Sequence, residues 1–528
     1  MNTEKTVTIT LLETSDIHGH FYPTDYRGPG DKPLGMAKLA SLIHRERRKD
    51  PALLLLDNGD LLQGTPLMYH YAKYDQTGIH PAASLLNLLR YDAAIIGNHE
   101  FNYGLELLER TVADTNCPYL CANVVRASDR QPVFGQPYRM FVMQEDIRVA
   151  VLGVTTHYIP NWEEPANIEG LAFEDALAST RRWIAHIRET ERPDAIVVCY
   201  HGGFERDPAT GDTTEPLTGE NQGYEMATKL EGVDVLLTGH QHRMLAGELQ
   251  GVAYVQPGSA GQAIAKVQLQ FEKSPNGGWA LVGKTAELLE AAQAEADEEI
   301  LALFADKEAK TQEWLDQPIG WAEGDLSIPD PFAARQRDHA FTEFVNRVQM
   351  EGTGAAVSCA AIFTNEARGF SGRITMRDVI SNYIYPNTLK VVLLSGQDIR
   401  DALEQHARYF TLDEATRSLQ VSAEYLQPKP QHFNYDMWEG IEYELDISKP
   451  IGSRVTKLLR NGVPLHPDET CEVVMNSYRA GGGGNFFMLK DKPVIREIPT
   501  DMTEILADFI LKRKVIHAAC DHNWKVVF

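Results

Sequence analysis

Five short, largely aliphatic runs in this 528-residue chain each lead into a cluster of side chains able to bind a metal ion. Ile9–Leu12 precedes Asp16-Ile17-His18, Leu53–Leu56 precedes Asp57-Asn58-Gly59-Asp60, and Ala93–Ile96 precedes Gly97-Asn98-His99-Glu100. Ala195–Val198 precedes His201-Gly202-Gly203, and Val233–Leu237 precedes Gly239-His240-Gln241-His242. Such runs, bounded by turn residues, read as buried strands. Polar residues just past the ends of several buried strands meet at one edge of an open α/β sheet. Taken singly, an aspartate there caps a turn and a lone histidine is a hydrogen-bonded structural residue. The same context five times over is not explained that way. Asp16, His18, Asp60, Asn98, His201, His240 and His242 supply enough donors for two ions, which points to a dinuclear metallohydrolase.

In chain order the clusters read Asp-x-His, Gly-Asp, Gly-Asn-His-Glu, His-Gly-Gly and Gly-His-x-His. This set resembles the calcineurin-like metallophosphoesterase signature. Tyr385-Pro386-Asn387-Thr388-Leu389-Lys390, Tyr435-Asp436-Met437 and Asn476-Ser477-Tyr478-Arg479-Ala480-Gly481-Gly482 resemble the C-terminal domain of the 5′-nucleotidase family. Within that family, Gly97-Asn98-His99-Glu100-Phe101-Asn102-Tyr103-Gly104 and the Tyr-Pro-Asn-Thr-Leu-Lys run resemble the 2′,3′-cyclic-nucleotide 2′-phosphodiesterase/3′-nucleotidase branch.

The resemblance implies an α/β fold with an N-terminal four-layer α/β/β/α metallophosphoesterase sandwich over residues 1–287. A C-terminal α+β nucleotide-binding domain over 319–528 follows a linker over 288–318. The linker reads as one long helix, since Leu288–Asp316 is rich in alanine, glutamate and leucine and lacks glycine and proline. At this length two domains is the natural expectation. Helical patterns cover Leu34–Lys49, Pro81–Arg90, Leu105–Thr115, Phe173–Glu191, Asp338–Glu351 and Gly396–Tyr409. Ala253–Ala265 and Ala280–Glu287 read as closing strands of the second sheet. The four glycines Gly481–Gly484 permit close backbone approach to a ligand, and no lysine follows them as in a P-loop.

Composition narrows the partners. The formal net charge of −24 argues against a long nucleic acid, which needs a basic surface to displace counterions. A small nucleotide bound through two cations and an arginine is compatible with it. No apolar stretch near Met1–Thr6 is long enough for a signal h-region or a membrane span, so the chain as given reads as cytoplasmic, or exported if a leader was removed. The six cysteines are scattered with no Cys-x-x-Cys pair, and Cys199 reads as a small core residue.

The resemblance also assigns roles. Asp16, His18, Asp60 and His242 would hold one divalent ion, and Asp60, Asn98, His201 and His240 a second, with Asp60 bridging. Mixed nitrogen and oxygen donors suit Mn, Zn, Fe, Co or Ni. Two such ions about 3.5–4 Å apart acidify a shared water and neutralise phosphoryl charge. His99 would stabilise the transition state or protonate the leaving group, with Asn102 orienting it. The 5′-nucleotidase pattern has an aspartate at that position, so Asn102 favours the cyclic-phosphodiesterase branch. Tyr435 and Tyr478 would sandwich the base, with Asn387 and Asn485 hydrogen-bonding base or ribose and Arg368 clamping phosphate or ribose. The expected reaction opens 2′,3′-cyclic nucleotides at the 2′ bond and then hydrolyses the 3′-nucleotide. The alternatives are a 5′-nucleotidase or nucleotide-sugar hydrolase, and a catalytically silent nucleotide-binding protein.

Overall fold

The computed structural model describes residues 6–28, 30–161, 163–215, 217–274, 277–385, 387–413, 415–427, 429–498 and 500–528. Pro386 of the Tyr-Pro-Asn run and the lead Met1–Lys5 lie outside them. The chain divides into two compact units, residues 1–311 and 312–528.

The first unit holds two six-stranded mixed sheets. One runs Trp279–Glu290, Ala263–Lys273, Thr6–Thr14, Leu54–Asp57, Ala93–Ile95, Tyr119–Leu120. The other runs Met244–Leu249, Val252–Pro257, Val235–Thr238, Ala195–His201, Arg148–Thr155, Tyr138–Val142. The strands ending in metal-binding clusters are the parallel central ones, which are buried on both faces and so read as continuous aliphatic runs. Alternate residues such as Ile9, Leu11, Leu54, Leu56, Val149, Val151, Val197 and Leu237 fill one core between the sheets. Their neighbours in the second sheet, including Leu152, Val198 and Leu236, pack outward against Ile184, Ile187 and Met226. Helices flank the paired sheets, which gives the four-layer order. Cys199 lies in the inter-sheet core.

Two expectations need correction. Ala253–Ala265 is not one strand of the second sheet. It ends one strand at Pro257 and begins another at Ala263, and Ala263–Lys273 and Trp279–Glu290 belong to the first sheet. Ala263–Lys273 pairs antiparallel with Thr6–Thr14, a long-range match that local pattern does not encode. The long helix is also shorter than 288–318. Leu288, Leu289 and Glu290 pair with Ala265, Ile264 and Ala263, so sheet pairing overrides their helical propensity. The helix covers Glu298–Leu315, started by Asp297, whose Oδ1 accepts from the amides of Glu299 and Ile300.

The second unit is α+β. Its five-stranded sheet runs Asp436–Glu439, Val357–Ala361, Thr470–Asn476, Leu389–Ser395, Val494–Ile498. Helix Ala340–Thr353 packs on this sheet, and Gly396–Ala407 starts at a capping box formed by Ser395 and Asp398. Among the described residues no helix is long and apolar enough to cross a membrane.

Candidate functional site

The strand ends of the first unit bring all seven expected ligands together in two clusters. Ligand atoms of Asp16, His18 and His242 lie within 4.8 Å of one another, as do those of Asp60, His201 and His240. Asn98 joins the second cluster, its Oδ1 lying 3.0 Å from His201 Nε2 and 2.9 Å from His240 Nδ1. Asp60 connects the two. Its Oδ2 lies 3.2 Å from His201 Nε2 and 3.9 Å from His18 Nε2, while Oδ1 accepts the His99 amide at 2.7 Å.

The imidazoles are held with their donor atoms turned inward. His18 Nδ1–H donates to the Gln63 carbonyl at 3.0 Å and His201 Nδ1–H to the Asn58 carbonyl at 2.6 Å. Each Nε2 lone pair is thereby left for a ligand role. His240 is reversed. Its Nε2 meets Glu220 Oε1 at 2.8 Å, and Nδ1 faces the cluster. His18 and His242 bring their Nε2 atoms to 3.0 Å of one another. Asp60 Oδ2 is buried and has no hydrogen-bond partner. A buried carboxylate oxygen between two histidines calls for a positive charge beside it, a metal ion or a protonated His201. This oxygen and the mixed N/O donor set both fit divalent ions at these clusters.

The local backbone explains why glycine recurs beside the ligands. A Cβ on Gly97 would stand 2.4 Å from Asp60 Oδ1, so no other residue fits there. Five of the seven ligands sit in the left-handed region: Asp16 at φ 53°, His18 at 50°, Asp60 at 57°, His240 at 67° and His242 at 58°. Glu100, next to His99, closes the turn from beneath. Its Oε2 accepts the amides of Asp60 at 2.9 Å and Gly97 at 2.6 Å, and Oε1 those of Leu61 at 2.7 Å and Leu62 at 3.2 Å.

The electrostatics follow from burial and crowding. Burial pushes the His18 imidazolium down to about 3. Burial also works against a charged His201, but the carboxylates of Asp60, Asp16 and Glu100 outweigh it and raise that ring to about 10. Burial and the charge of Asp60 together hold the Glu100 carboxyl above its ordinary range. His99 stands edge-on to His18, ring centroids 5.2 Å apart, which places it beside the ligand set. Its Nδ1 lies 2.6 Å from Asn102 Oδ1.

The C-terminal unit requires a correction. Tyr435 does not face a ligand: it is fully buried, stacked on Tyr409 with centroids 4.8 Å apart. A helical turn at His432–Asn434 interrupts the extended chain, so Phe433 emerges half-buried while Tyr435 enters the core. Phe433 stands 6.2 Å from Tyr478 and 6.0 Å from Tyr385. The rings of Tyr385, Phe433 and Tyr478 thus form one half-buried aromatic cluster. Arg479 fastens it from behind, donating Nε to Asp436 Oδ2 at 2.5 Å, Nη2 to the Phe433 carbonyl at 3.0 Å and Nη1 to the Gly483 carbonyl. The four glycines let the chain lie against this cluster: a Cβ on Gly483 would stand 2.5 Å from the Tyr478 ring. Asn387 is half-buried, and its carbonyl accepts the Met502 amide at 2.9 Å. Asn485 is half-buried at φ 68°. Arg368 is exposed, its amide donating to Asn382 Oδ1 at 3.0 Å.

Residues 9–244 match the calcineurin-like phosphoesterase family, and residues 318–491 match the 5′-nucleotidase C-terminal domain. The crystal structure of a Staphylococcus aureus protein described as a candidate 5′-nucleotidase, in complex with α-ketoglutarate, superposes with a TM-score of 0.91 at 34% identity, covering 99% of this chain and 100% of that one. The chain belongs to the 5′-nucleotidase family of calcineurin-like phosphoesterases. It is 28% identical to the 2′,3′-cyclic-nucleotide 2′-phosphodiesterase/3′-nucleotidase of Salmonella typhimurium, over 99% of this chain and 89% of that one. It is also 28% identical to the trifunctional nucleotide phosphoesterase YfkN of Bacillus subtilis, over 98% of this chain but only 39% of that longer protein. This member of the family is a phosphoesterase-type hydrolase, the Salmonella and Bacillus relatives are named for action on nucleotides, and the family uses divalent metals.

The bracing of the Asp60 turn by Glu100, Glu163, whose Oε2 accepts from Asn102 Nδ2, Glu220, Phe433 and the fastening role of Arg479 are not among the site features that the sequence predicts. Glu100 and Arg479 stand inside the family-like motifs, which was the available signal. Glu220 and Glu163 lie in irregular loops that carry no pattern.

Proposed function

We propose that this chain is a two-metal phosphohydrolase that opens 2′,3′-cyclic nucleotides at the 2′ bond and hydrolyses the resulting 3′-nucleotide to nucleoside and phosphate. The observation that carries the reading is the donor set: two clusters joined by a carboxylate whose inward oxygen has no partner but histidine. Divalent ions there would supply Lewis-acid polarisation of the phosphoryl group and acidify a water. The protein's own part is positional. Asp16 and Asp60 are aspartates fixed by main-chain amides, with His240 N–H donating to Asp16 at 3.0 Å. His18 and His201 are locked by carbonyls on their outer nitrogens. His99, beside the clusters, would hand a proton to the departing 2′ oxygen from the nitrogen not bound to Asn102.

Asn102, at the place where the 5′-nucleotidase pattern has an aspartate, supports the cyclic-nucleotide branch, as does the likeness to the Salmonella enzyme. In the C-terminal unit, Phe433 and Tyr478 would hold the base, since a half-buried aromatic pair tolerates any base by stacking. Phosphate release with added Mn²⁺ from 2′,3′-cyclic AMP, 3′-AMP, 5′-AMP and UDP-glucose tests the assignment, with His99→Ala as control. Parallel wells with a phosphatase would reveal ring opening that stops at the monoester. Preference for the cyclic and 3′ substrates is expected. Preference for 5′-AMP or UDP-glucose overturns it.

A further inference from the structure

Beyond His99 and Asn102 the hydrogen-bond chain continues. Asn102 Nδ2 donates to Glu163 Oε2 at 2.7 Å. The other oxygen, Oε1, accepts from Asn167 Nδ2 at 2.9 Å and from the Glu164 amide at 2.9 Å. Glu163 is buried, between the short turns Ile159–Asn161 and Pro165–Ile168. Among the described residues no lysine or arginine pairs with it. We propose that Glu163 is the positioning residue that fixes His99 as the Nδ1–H tautomer, acting through the side-chain amide of Asn102. This rests on the reading of His99 as the group that handles the leaving-group proton.

The argument is one of donors and acceptors. An asparagine amide is nearly symmetric in shape, and beside a histidine alone it could turn either end inward. An ionised carboxylate only accepts, so the Asn102 NH₂ must face Glu163. Oδ1 is then forced toward His99, and because it too only accepts, the Nδ1 it meets at 2.6 Å must carry the hydrogen. Nε2 is left as the atom that takes up or gives a proton. The carboxyl that the aspartate pattern places against the imidazole is here one residue further out; burial raises the pKa of Glu163, and the three N–H donors from Asn167, the Glu164 amide and Asn102 counter it in favour of the charged, accept-only form. A glutamine in place of Glu163 would undo the logic. To satisfy Asn167 Nδ2 and the Glu164 amide it must turn its oxygen to them and its NH₂ to Asn102. The Asn102 amide then reverses and selects the opposite tautomer of His99.

The test uses ¹⁵N-histidine-labelled protein loaded with Zn²⁺, which is diamagnetic, with the His99 signals assigned by their loss in His99→Gln. Wild type is expected to show the Nδ1–H pattern, Glu163→Gln the Nε2–H pattern, and Glu163→Ala a mixture. In turnover of 2′,3′-cyclic AMP, Glu163→Gln and Glu163→Ala should each lower kcat on the order of 10-fold or more with KM little changed. Asn102→Asp alone should be similarly impaired, because it sets two carboxylates against each other. The double variant Asn102→Asp/Glu163→Gln restores every donor–acceptor match, since the NH₂ of the introduced glutamine donates to the new carboxylate and its oxygen keeps both outer donors. It should recover kcat to within about threefold of wild type.

A glutamate that merely braced the loop would give a double variant no better than the worse single one. That result, or an unchanged His99 tautomer in Glu163→Gln, overturns the proposal. The expected tautomer shift without any change in kcat would leave the positioning intact and overturn the proton-handling role of His99 instead.

Discussion

Glu100→Gln removes no volume and no main-chain contact partner, yet it should disable the turn that carries Asp60. The carboxylate accepts four amides, two on each oxygen. In glutamine one oxygen becomes an NH₂ group, so whichever way the amide turns, two N–H groups face a donor. Hydrogen bonds to a charged acceptor contribute about 1.5–3 kcal/mol each, which puts the direct loss at about 3–6 kcal/mol. Burial and the nearby charge of Asp60 already strain the Glu100 charge. A neutral side chain relieves part of that, leaving about 2–4 kcal/mol of local destabilisation. Since two of the amides belong to Asp60 and Gly97, the loss should fall on Asp60, the carboxylate that connects the two clusters. Competition with a fluorescent chelator should show Zn²⁺ and Mn²⁺ affinity reduced about 10–100-fold. Hydrogen exchange should show the amides of Asp60, Leu61, Leu62 and Gly97 opening faster while the inter-sheet core stays protected. Wild-type affinity together with unchanged exchange at those four amides would refute the reasoning.

Other outcomes follow from the same geometry. Metal binding at the Asp60 cluster should release close to one proton near pH 7, because His201 is raised to about 10 in the metal-free protein and must lose its proton to bind; calorimetry in buffers of differing ionisation enthalpy reads it, and affinity should tighten as pH rises. Glu439 is pushed up to about 8, first by burial and then by the charges of Asp521, Asp338 and Glu343. Between the ordinary glutamate pKa and about 8 the folded state binds more protons than the unfolded one, so stability should fall with rising pH across that window. Glu439→Gln should flatten this fall in urea titrations at pH 5 and pH 8. Phe433→Ala should raise KM for nucleotide substrates about 5- to 150-fold, the equivalent of the 1–3 kcal/mol that stacking contributes, whereas Tyr435→Phe should leave KM unchanged because that ring is buried and its hydroxyl unpartnered.

The parts of this molecule legible in the sequence are those set by local pattern. Buried parallel strands show as aliphatic runs, and residues following them, such as Asp16 and His201, must emerge at the sheet edge. The pairing of Ala263–Lys273 with Thr6–Thr14 spans most of the first unit, and no local signal specifies it. Leu288–Glu290 read as helix because nothing in their neighbourhood discloses the strand that claims them. Tyr435 and Phe433 are both aromatic and two residues apart, and only the intervening turn decides which one faces outward. Glu163 is more distant still, since its meaning depends on a loop meeting Asn102 some sixty residues earlier in the chain.

The left-handed backbone at Asp16, His18, Asp60, His240 and His242 has a consequence for what keeps such a site in place. A side chain in that region costs about 1–2 kcal/mol relative to glycine. The backbone term by itself therefore favours glycine at the positions where the site presents an imidazole or a carboxylate. Each of the five side chains is thus held in a conformation that its surroundings, and not its own backbone, must stabilise.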